Sequence, residues 1–296
     1  MAPGIEPLPL SALPPLPAHL PLAVVGHVEV VTLLEVDHLP RPGEVQHAAA
    51  SLEEPAGGGA VVAVQLARLT GRRVPFFTAL GRDDWGRRAV ERLEALGLEL
   101  QVAWREAPTR RGISFSEAGG ERSITVIGER LSPAATDPLP WGSLAAMAGV
   151  FVTAADPGGL RLARRAAWLG ATPRVRLPLL RQAAVPLDAL IGSALDPGEH
   201  TVPGDLEPEP RLRIGTSGAR GGHCLPGGAF DALPPPPLLR DSYGAGDSFA
   251  AGVSLGLAAG WTLQQALSLG CHCGRAVLEG LGPYATQLGG PGRPLA

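Results

Sequence analysis

Strand-like and helix-like segments alternate through the first third of this sequence. Residues 22–36, LAVVGHVEVVTLLEV, are rich in β-branched side chains and predict a buried strand followed by a second extended segment. A glycine-rich opening and a helix are predicted over 55–71, a strand over 74–81 and an amphipathic helix over 83–97. This order predicts an α/β fold, in which a central, mostly parallel sheet is flanked by helices.

The alternation is interrupted once and then resumes. Residues 112–129 predict two strands around a Gly-Gly turn, a hairpin that we interpret as a lid over a site. A strand over 148–154, a helix over 158–169 and a strand over 211–216 follow. The lid is expected to comprise roughly residues 27–45 and 105–130.

The two ends of the chain raise questions of organisation. Residues 1–21 are proline-rich and predict a polyproline-like tail before one folded domain over 22–296. The uncharged run 248–274 is long enough to raise the question of a membrane span. Gly260 interrupts it, and Thr262 with Gln265 has the spacing of a capping box, so two buried helices of a protein without membrane contact are predicted.

Composition excludes several kinds of chemistry. All 25 basic residues are arginine, and the chain contains neither lysine nor asparagine. A P-loop, a protein kinase and a pyridoxal-phosphate enzyme each need a lysine. The net charge of −3 gives no general attraction to nucleic acid.

Three cysteines are too few for a disulfide framework, which favours a cytoplasmic location. Cys271, His272 and Cys273 resemble a metal motif, but adjacent residues of a helix point in different directions. We therefore interpret them as ordinary helix residues.

The most informative segment is RDSYGAGDSFAAG, residues 240–252. Gly244, Ala245 and Gly246 precede a predicted helix, where free backbone N–H groups would form an anion site. A carboxylate at Asp247 would repel phosphate unless its task is to accept a proton from an attacking hydroxyl. The alternative is that Asp247 only caps the helix and the glycines only form a turn.

The whole string DSYGAGDSFAAG resembles the D-T-x-G-A-G-D-x-F-x-x-G signature of the ribokinase-like (PfkB) carbohydrate kinases. Further segments are similar to that family in the same order: the first strand with its P-x-P-G-E turn, GGGAVVAVQLARLTG, FFTALGRDDWGRRAVERLEALGLEL and TSGARGG. The resemblance extends over about residues 22–285. It implies a Rossmann-like ribokinase fold with a small β lid and transfer of the γ-phosphate of ATP to a sugar-like alcohol.

The resemblance also implies roles for individual residues. Asp247 would be the general base, with Gly244, Ala245, Gly246 and the Asp247 amide as the anion hole. The nucleotide would lie near Gly218, Gly221 and Asp241, and a monovalent cation such as K⁺ is bound near this motif in many relatives. Gly57, Gly58 and Gly59 would let a helix approach the substrate. Mg²⁺ would bridge the phosphates, and the lid strands pair across a homodimer in some relatives.

Several positions depart from the family pattern. Val31 and Glu29 stand where the family has a substrate Asp and an Asn, and Val61 or Val62 replaces a further Asn. The N-x-x-E motif that helps to place Mg²⁺ is absent. We expect Asp196 and Glu199 to substitute for it, with Ser193 and Asp196 or a solvated acidic turn as alternatives. The acceptor therefore remains open.

Further polar residues are candidates for the acceptor site. His27, Glu29 and Glu129 are expected near the pocket, although His27 after Gly26 could simply end a strand. Arg110, Arg111 and Arg122 border the predicted lid hairpin. They could contact an anionic substrate, although solvated arginines on a strand edge are commoner.

Three other functions compete with that of a kinase. GVSLG, residues 252–256, matches the nucleophile elbow of serine hydrolases, but it lies within a predicted helix and no Asp follows Ser254. The glycines at 57–59 and 218–222 are poor matches to a dehydrogenase fingerprint. A ribokinase-like protein that binds a ligand and transfers phosphate weakly is the main alternative, because the substrate and Mg²⁺ positions are altered.

Overall fold

A computed structural model describes residues 4–17, 19–117 and 122–290, which form two β-sheets and six α-helices. The strands, numbered in chain order, are β1 Leu22–Val25, β2 Glu29–Val36, β3 Ala50–Ala56, β4 Val74–Gly81, β5 Leu98–Arg105, β6 Arg111–Glu117, β7 Arg122–Ile127, β8 Gly149–Val152, β9 Trp168–Ala171, β10 Ala189–Ser193, β11 Arg213–Thr216, β12 Gly222–Leu225 and β13 Gly228–Phe230. The helices are α1 Gly58–Thr70, α2 Asp84–Ala95, α3 Pro157–Ala163, α4 Leu177–Ala183, α5 Ala245–Ala258 and α6 Leu263–Val277. In the described part of the chain, no helix is long and apolar enough to cross a bilayer.

The larger sheet has nine strands in the order β13-β12-β11-β10-β9-β8-β1-β4-β5. The seven strands from β11 to β5 pair in parallel, and β12 and β13 add an antiparallel hairpin at one edge. The chain builds outward from β1 to β4 and β5, then returns to the other side of β1 with β8. The strand order therefore reverses between β1 and β8, the place where open α/β sheets form their ligand crevice.

Helices cover both faces of this sheet. Val24, Phe76 and Phe151 belong to one buried cluster, together with apolar residues of α1, α5 and α6. Their strand neighbours Val25 and Phe77 point to the opposite face and pack with α3 and α4. The alternation within each strand, buried on both sides, is what a parallel sheet requires.

The helix ends follow from local sequence. Gly71 closes α1 in the left-handed conformation, with a φ of 65°. The carboxylate of Asp83 caps α2 by accepting from the Gly86 amide, and the capping box of Thr262 and Gln265 begins α6. Two separate helices, α5 and α6, thus replace the membrane span that the uncharged run could have suggested.

The smaller sheet has four strands in the order β3-β2-β6-β7. The predicted hairpin is confirmed as the antiparallel pair β6 and β7, whereas its Gly-Gly turn lies outside the described residues. One edge of the sheet is β7, whose six residues are all exposed. The role of this sheet as a lid, and the boundaries given for lid and tail, stay predictions.

The proline-rich N-terminal segment is docked along the domain. Ile5 pairs with Phe230 in a parallel bridge, and the Leu8 amide donates to Ser268 Oγ over 2.9 Å. The Leu8 carbonyl lies 2.9 Å from His272 Nε2. The segment contains a 3₁₀ turn at Leu10–Ala12, and its backbone groups are bonded to β13 and α6.

The middle of the chain differs most from the sequence-based expectation. The helix predicted over 158–169 ends at Ala163, and Trp168–Ala171 is a buried parallel strand. The strands β3 and β5 were not predicted either. Short apolar runs such as WLGA carry no periodicity that separates a strand from a helix end, so tertiary pairing decides.

Candidate active site

The candidate site lies at the carboxyl ends of β1 and β8, where the strand order reverses. His27 follows β1, and its Nδ1 is 3.5 Å from Oγ1 of Thr153, which follows β8. A Cβ on Gly26 would lie 2.2 Å from that same Thr153 hydroxyl. The missing side chain at Gly26 therefore lets the two strand ends come together.

The three glycines predicted to line the substrate site surround His27. The position that a Cβ would take on Gly57 is 3.1 Å from His27 Cδ2, and on Gly59 it is 2.8 Å from the His27 carbonyl oxygen. On Gly58 it is 2.8 Å from Oδ1 of Asp247. A side chain at any of the three positions would displace His27 or Asp247. The start of α1 can therefore approach both residues only because these three residues are glycines.

The predicted anion hole lies at the N-terminus of α5. Gly244 is the N-cap in the left-handed conformation, with a φ of 83°. The Ala245 amide donates to the Ser242 carbonyl over 3.3 Å, so it is partly used. Within the described residues, the amides of Gly246 and Asp247 have no hydrogen-bond partner, and no atom lies within 4 Å of where a Cβ on Gly246 would be. Two helix-terminal donors are therefore unpaired in the described part of the chain, next to the open surroundings of Gly246.

Asp247 follows this turn and is half-buried. Burial raises its pKa to about 6, and the nearby charges of Glu199 and Glu29 act in the same direction. The guanidinium groups of Arg174 and Arg122 oppose this rise. A carboxylate with this pKa is mostly ionised at neutral pH and is basic enough to accept a proton from a hydroxyl.

Glu29 is buried and already paired. The Tyr243 hydroxyl donates to Glu29 Oε1 over 3.1 Å, and Arg110 Nε is 3.0 Å from Glu29 Oε2. This carboxylate thus joins the first strand of the small sheet to the residues before the anion hole. Tyr243 was not predicted from the sequence; its position inside the DSYGAGD string was the available signal.

His27 is uncharged at neutral pH. Burial lowers its pKa well below the usual value, and the guanidinium groups of Arg130, Arg110 and Arg174 lower it further. A neutral imidazole can hold a substrate hydroxyl by one hydrogen bond without adding charge to the site.

Asp241 lies in the interior of the protein. Its side chain is fully buried, and Oδ1 accepts from Ser116 Oγ and the Tyr243 amide, while Oδ2 accepts from the Gly282 amide over 2.9 Å. Both oxygens are used within the protein. The Asp241 carboxylate therefore fixes the turn before the anion hole, and the contact of Asp241 with the nucleotide stays a prediction.

Both carboxylates of the predicted Mg²⁺ pair contact an arginine in this structure. Arg174 donates to Glu199 Oε1 and, over 2.9 Å, to Asp196 Oδ2, and Glu199 Oε2 accepts from the Ser193 amide. One guanidinium thus pairs with both carboxylates, which together keep a net negative charge. Across the part of the chain that is described, no cluster of three or more His, Cys, Asp or Glu residues could hold a metal ion.

The two glycines predicted near the nucleotide follow β11. Gly218 has a φ of 59°, and the nearest atom to its missing Cβ is 4.0 Å away. At Gly221 a Cβ would lie 2.0 Å from the Phe230 carbonyl oxygen, so this glycine is required by packing against β13. Only Gly218 has the open surroundings that a bound nucleotide would need.

Arginines from the small sheet reach toward the site. Arg110 pairs with Glu29 as described, and the Arg122 guanidinium lies 5.4 Å from the centre of the Tyr243 ring. Arg111 points elsewhere, over the ring of Trp85 at 5.3 Å. Of the three bordering arginines, Arg122 therefore contributes charge near Asp247, and Arg110 contributes charge near Glu29 and His27.

A cavity of about 380 Å³ adjoins this region, and its lining includes Arg110, Glu129, Arg130, Arg174 and Arg176. Glu129 was predicted near the pocket. Arg130, Arg174 and Arg176 were missed; the last two follow β9, the strand that the sequence had assigned to a helix.

The serine and cysteine motifs that suggested other chemistry lie in buried helices. Ser254 lies within α5 and is buried, so it cannot be a nucleophile on a strand-to-helix turn. Cys271 and Cys273 are free and buried in α6, and burial raises the pKa of the Cys271 thiol to about 11.

One family of known proteins matches most of the chain. The profile of the family described as pfkB family carbohydrate kinase matches residues 21–195 and 207–288. No curated protein matches the chain.

Solved structures share the fold. A ribokinase from Thermotoga maritima has a TM-score of 0.71 at 21% identity, covering 92% of this chain and 97% of that one. An adenosine kinase from Sinorhizobium meliloti has a TM-score of 0.71 at 18% identity, with 89% and 95% covered. An Arabidopsis thaliana ribokinase complexed with ribose and ATP has a TM-score of 0.67 at 18% identity, with 88% and 93% covered.

Proposed function

Because the chain belongs to the pfkB family of carbohydrate kinases, whose members phosphorylate sugars or nucleosides, we propose that it transfers the γ-phosphate of ATP to a hydroxyl of a small sugar-like acceptor, with Asp247 as general base. The observation that carries this proposal is the position of Asp247. Its carboxylate lies against Gly58 and beside the two unpaired amides at the start of α5. A base and two anion-binding donors thus stand at one place.

The proposed chemistry follows from that arrangement. Asp247 accepts the proton of the acceptor hydroxyl, whose oxygen attacks the γ-phosphorus. The amides of Gly246 and Asp247 donate to the phosphoryl oxygens, which carry the negative charge of the transition state. His27 and the glycines 57–59 form the wall against which the acceptor lies.

ATP is proposed as the donor because the Arabidopsis relative was solved with ATP and ribose. Gly218 is the residue of the predicted nucleotide loop that best suits close approach of a nucleotide. Mg²⁺ and K⁺ remain predictions from the family resemblance. Asp196 and Glu199 do not fit a resident Mg²⁺ while both are paired with Arg174, so no step is assigned to that ion.

The small sheet is proposed to act as a lid. Its strands supply Glu29, Arg110 just before β6, and Arg122 at the start of β7, all close to Asp247 or its neighbours. A movement of this sheet would therefore change the charge around the base as well as its access to water.

The open edge of the small sheet supports a homodimer. Ile124, Val126 and Ile127 of β7 are 38%, 46% and 42% exposed, and the strand pairs only with β6 among the described strands. An exposed apolar edge strand is a site for pairing with a second chain. We propose that a second copy of this protein covers it.

A panel of sugars, polyols and nucleosides, each incubated with ATP, tests the proposed reaction through ADP release. Turnover of at least one neutral or charged alcohol that depends on Asp247 supports it. Tight ligand binding with no ADP release across the panel would instead support the weakly catalytic binding protein, which the altered metal pair favours.

A further inference from the structure

The cavity of about 380 Å³ is rich in arginine, and one of its lining residues, Arg174, is close enough for its charge to act on Asp247. Four of its lining residues are Arg110, Arg130, Arg174 and Arg176, and they come from three separate segments of the chain. Arg110 precedes β6, Arg130 follows β7, and the other two follow β9. Their convergence is a product of the fold, because the small sheet is placed over the carboxyl end of the large one.

Two of these arginines already have carboxylate partners. Arg110 pairs with Glu29 at 3.0 Å, and Arg174 pairs with Asp196 and Glu199. These two therefore have fixed positions and little charge left for a ligand.

The other two arginines have no carboxylate partner among the described residues. Arg130 donates from one terminal nitrogen to the Arg174 carbonyl over 2.6 Å, and its Nε is buried without a partner. The Arg176 side chain makes no hydrogen bond or ion pair within the described chain. Glu129, the single carboxylate in the described lining, pairs with none of the four. The cavity thus holds two guanidinium groups whose charge is not balanced by contact.

The backbone conformation of Arg176 and the charges around Arg130 are consistent with an anion-binding site. Arg176 has a φ of 82°, in a region that residues with a side chain rarely adopt, and such conformations cluster at functional sites. Burial and the charges of Arg110, Arg174 and Arg176 lower the pKa of Arg130, so the cluster repels itself. A bound anion would relieve that repulsion.

The cluster is linked to the reacting groups. Arg130, Arg110 and Arg174 all act on the charge of His27, and Arg174 also acts on Asp247. A volume of about 380 Å³ suits a monosaccharide with one charged substituent.

We propose that the acceptor carries an anionic group, a phosphate ester or a carboxylate, which Arg130 and Arg176 bind while Asp247 deprotonates the hydroxyl at the other end. This rests on the proposed kinase activity and narrows its substrate class. In the reaction, the hydroxyl proton passes to Asp247, the acceptor oxygen bonds to the γ-phosphorus of ATP, and the bond from that phosphorus to ADP breaks. Planar guanidinium groups bind both phosphates and carboxylates by paired hydrogen bonds.

The test compares matched acceptors on the wild type and on Arg130→Gln and Arg176→Gln. The probes are D-ribose, D-ribose 5-phosphate and D-ribonate, and D-glucose, D-glucose 6-phosphate and D-gluconate. ADP release gives kcat/KM, and calorimetry without ATP gives binding. Arg165→Gln is the control, because Arg165 is an exposed arginine at the end of α3, outside the cavity.

We expect at least one anionic probe to have a kcat/KM about 100-fold or more above its neutral partner. Each arginine variant lowers that value about 10- to 100-fold and changes the KM for ATP by less than about threefold. A high kcat/KM for the phosphate ester of a set indicates that the site binds a phosphate group. A high kcat/KM for the carboxylate of a set indicates that it binds a carboxylate group. Thermal unfolding of both variants shows whether they fold, and one folded variant is enough for the test.

The outcomes separate this inference from the kinase activity. Turnover of neutral sugars in preference to the anionic probes, unaffected by either variant, overturns the inference and leaves the kinase in place. A rise in the KM for ATP in both variants also overturns it, since the arginines would then bind the nucleotide phosphates. Binding of an anionic probe that is lost in the variants, without ADP release from any probe, supports the anion site while contradicting the kinase.

Discussion

Oδ1 of Asp247 lies 2.8 Å from the position that a Cβ would take on Gly58, so the first turn of α1 and the first turn of α5 meet without space for one methyl group. Gly58 has no positive φ, and its glycine identity is therefore not required by its backbone. The contact ties a glycine of the predicted substrate wall to the predicted base.

This contact predicts that Gly58→Ala lowers kcat about 10- to 100-fold, because the methyl group displaces the carboxylate from the attacking hydroxyl. Steady-state kinetics on the best acceptor of the panel measures it. Gly142→Ala is the control, since no atom lies within 4 Å of its missing Cβ. An unchanged kcat in Gly58→Ala would contradict the prediction that the position of the Asp247 carboxylate next to Gly58 controls the reaction.

Asp247→Asn is expected to lower kcat by about 100-fold or more, because an amide of the same shape cannot accept the proton. The KM for ATP should change by less than about threefold, which single-turnover and steady-state kinetics can measure. Asp84→Asn serves as the control, since Asp84 is an exposed acid in the first turn of another helix, α2. Equal activity in Asp247→Asn and wild type contradicts the role of general base.

The raised pKa of Asp247, about 6, predicts how activity depends on pH. The base works only when ionised, so kcat/KM for the acceptor should fall with unit slope below about pH 6, a higher limit than an ordinary aspartate would give. A neutral or carboxylate acceptor is needed, because a phosphate ester itself titrates near pH 6. A profile that stays flat to pH 4.5 would contradict burial as the control on this group.

The same shift has a consequence for stability. Because the folded protein holds the proton more tightly than the unfolded chain, protonation of Asp247 favours folding as the pH falls from about 6 towards 4. The stability of wild type relative to Asp247→Asn should therefore increase from pH 7 to pH 5. Thermal unfolding at the two pH values checks this sign.

The lid proposal predicts slower amide hydrogen exchange in β6 and β7 when acceptor and a nucleotide are bound. The antiparallel hairpin of β12 and β13, at an edge of the large sheet, is an internal reference whose exchange should not change. Mass spectrometry on peptic peptides measures both segments at once. Equal exchange of β6 and β7 with and without ligands argues against closure.

The homodimer proposal predicts a solution mass of twice 30.5 kDa for the wild type. Val126→Glu should shift this mass to that of the monomer, because a charge on the apolar edge strand would be buried without a partner. Val45→Glu is the matched control, as Val45 is 93% exposed in a loop. Light scattering after size exclusion measures both; a wild-type monomer contradicts the proposal.

Much of the architecture could be predicted because it depends on local patterns. The strand Val74–Gly81 and the helix ends at Gly71 and Thr262 follow from apolar runs and capping residues. The glycine turn before Asp247 has its own local signature too. The short strand Trp168–Ala171 has no such local signature, and a helix was wrongly predicted from the sequence over its first residues. Arg174 and Arg176 follow that strand and line the cavity at its carboxyl end. Because the strand was not predicted, their position near the site was not predicted either.

The sequence by itself determined the α/β class, the family and the turn that carries Asp247, because each depends on local patterns of residues that are neighbours along the chain. Tertiary structure alone decided which charges meet. The fold pairs Arg174 with Asp196 and Glu199, and it buries Asp241 against Ser116 and Gly282. It leaves Arg130 and Arg176 without carboxylate partners in the described chain. Charge pairing acts over a few ångströms in space, and the linear order of residues does not state those distances.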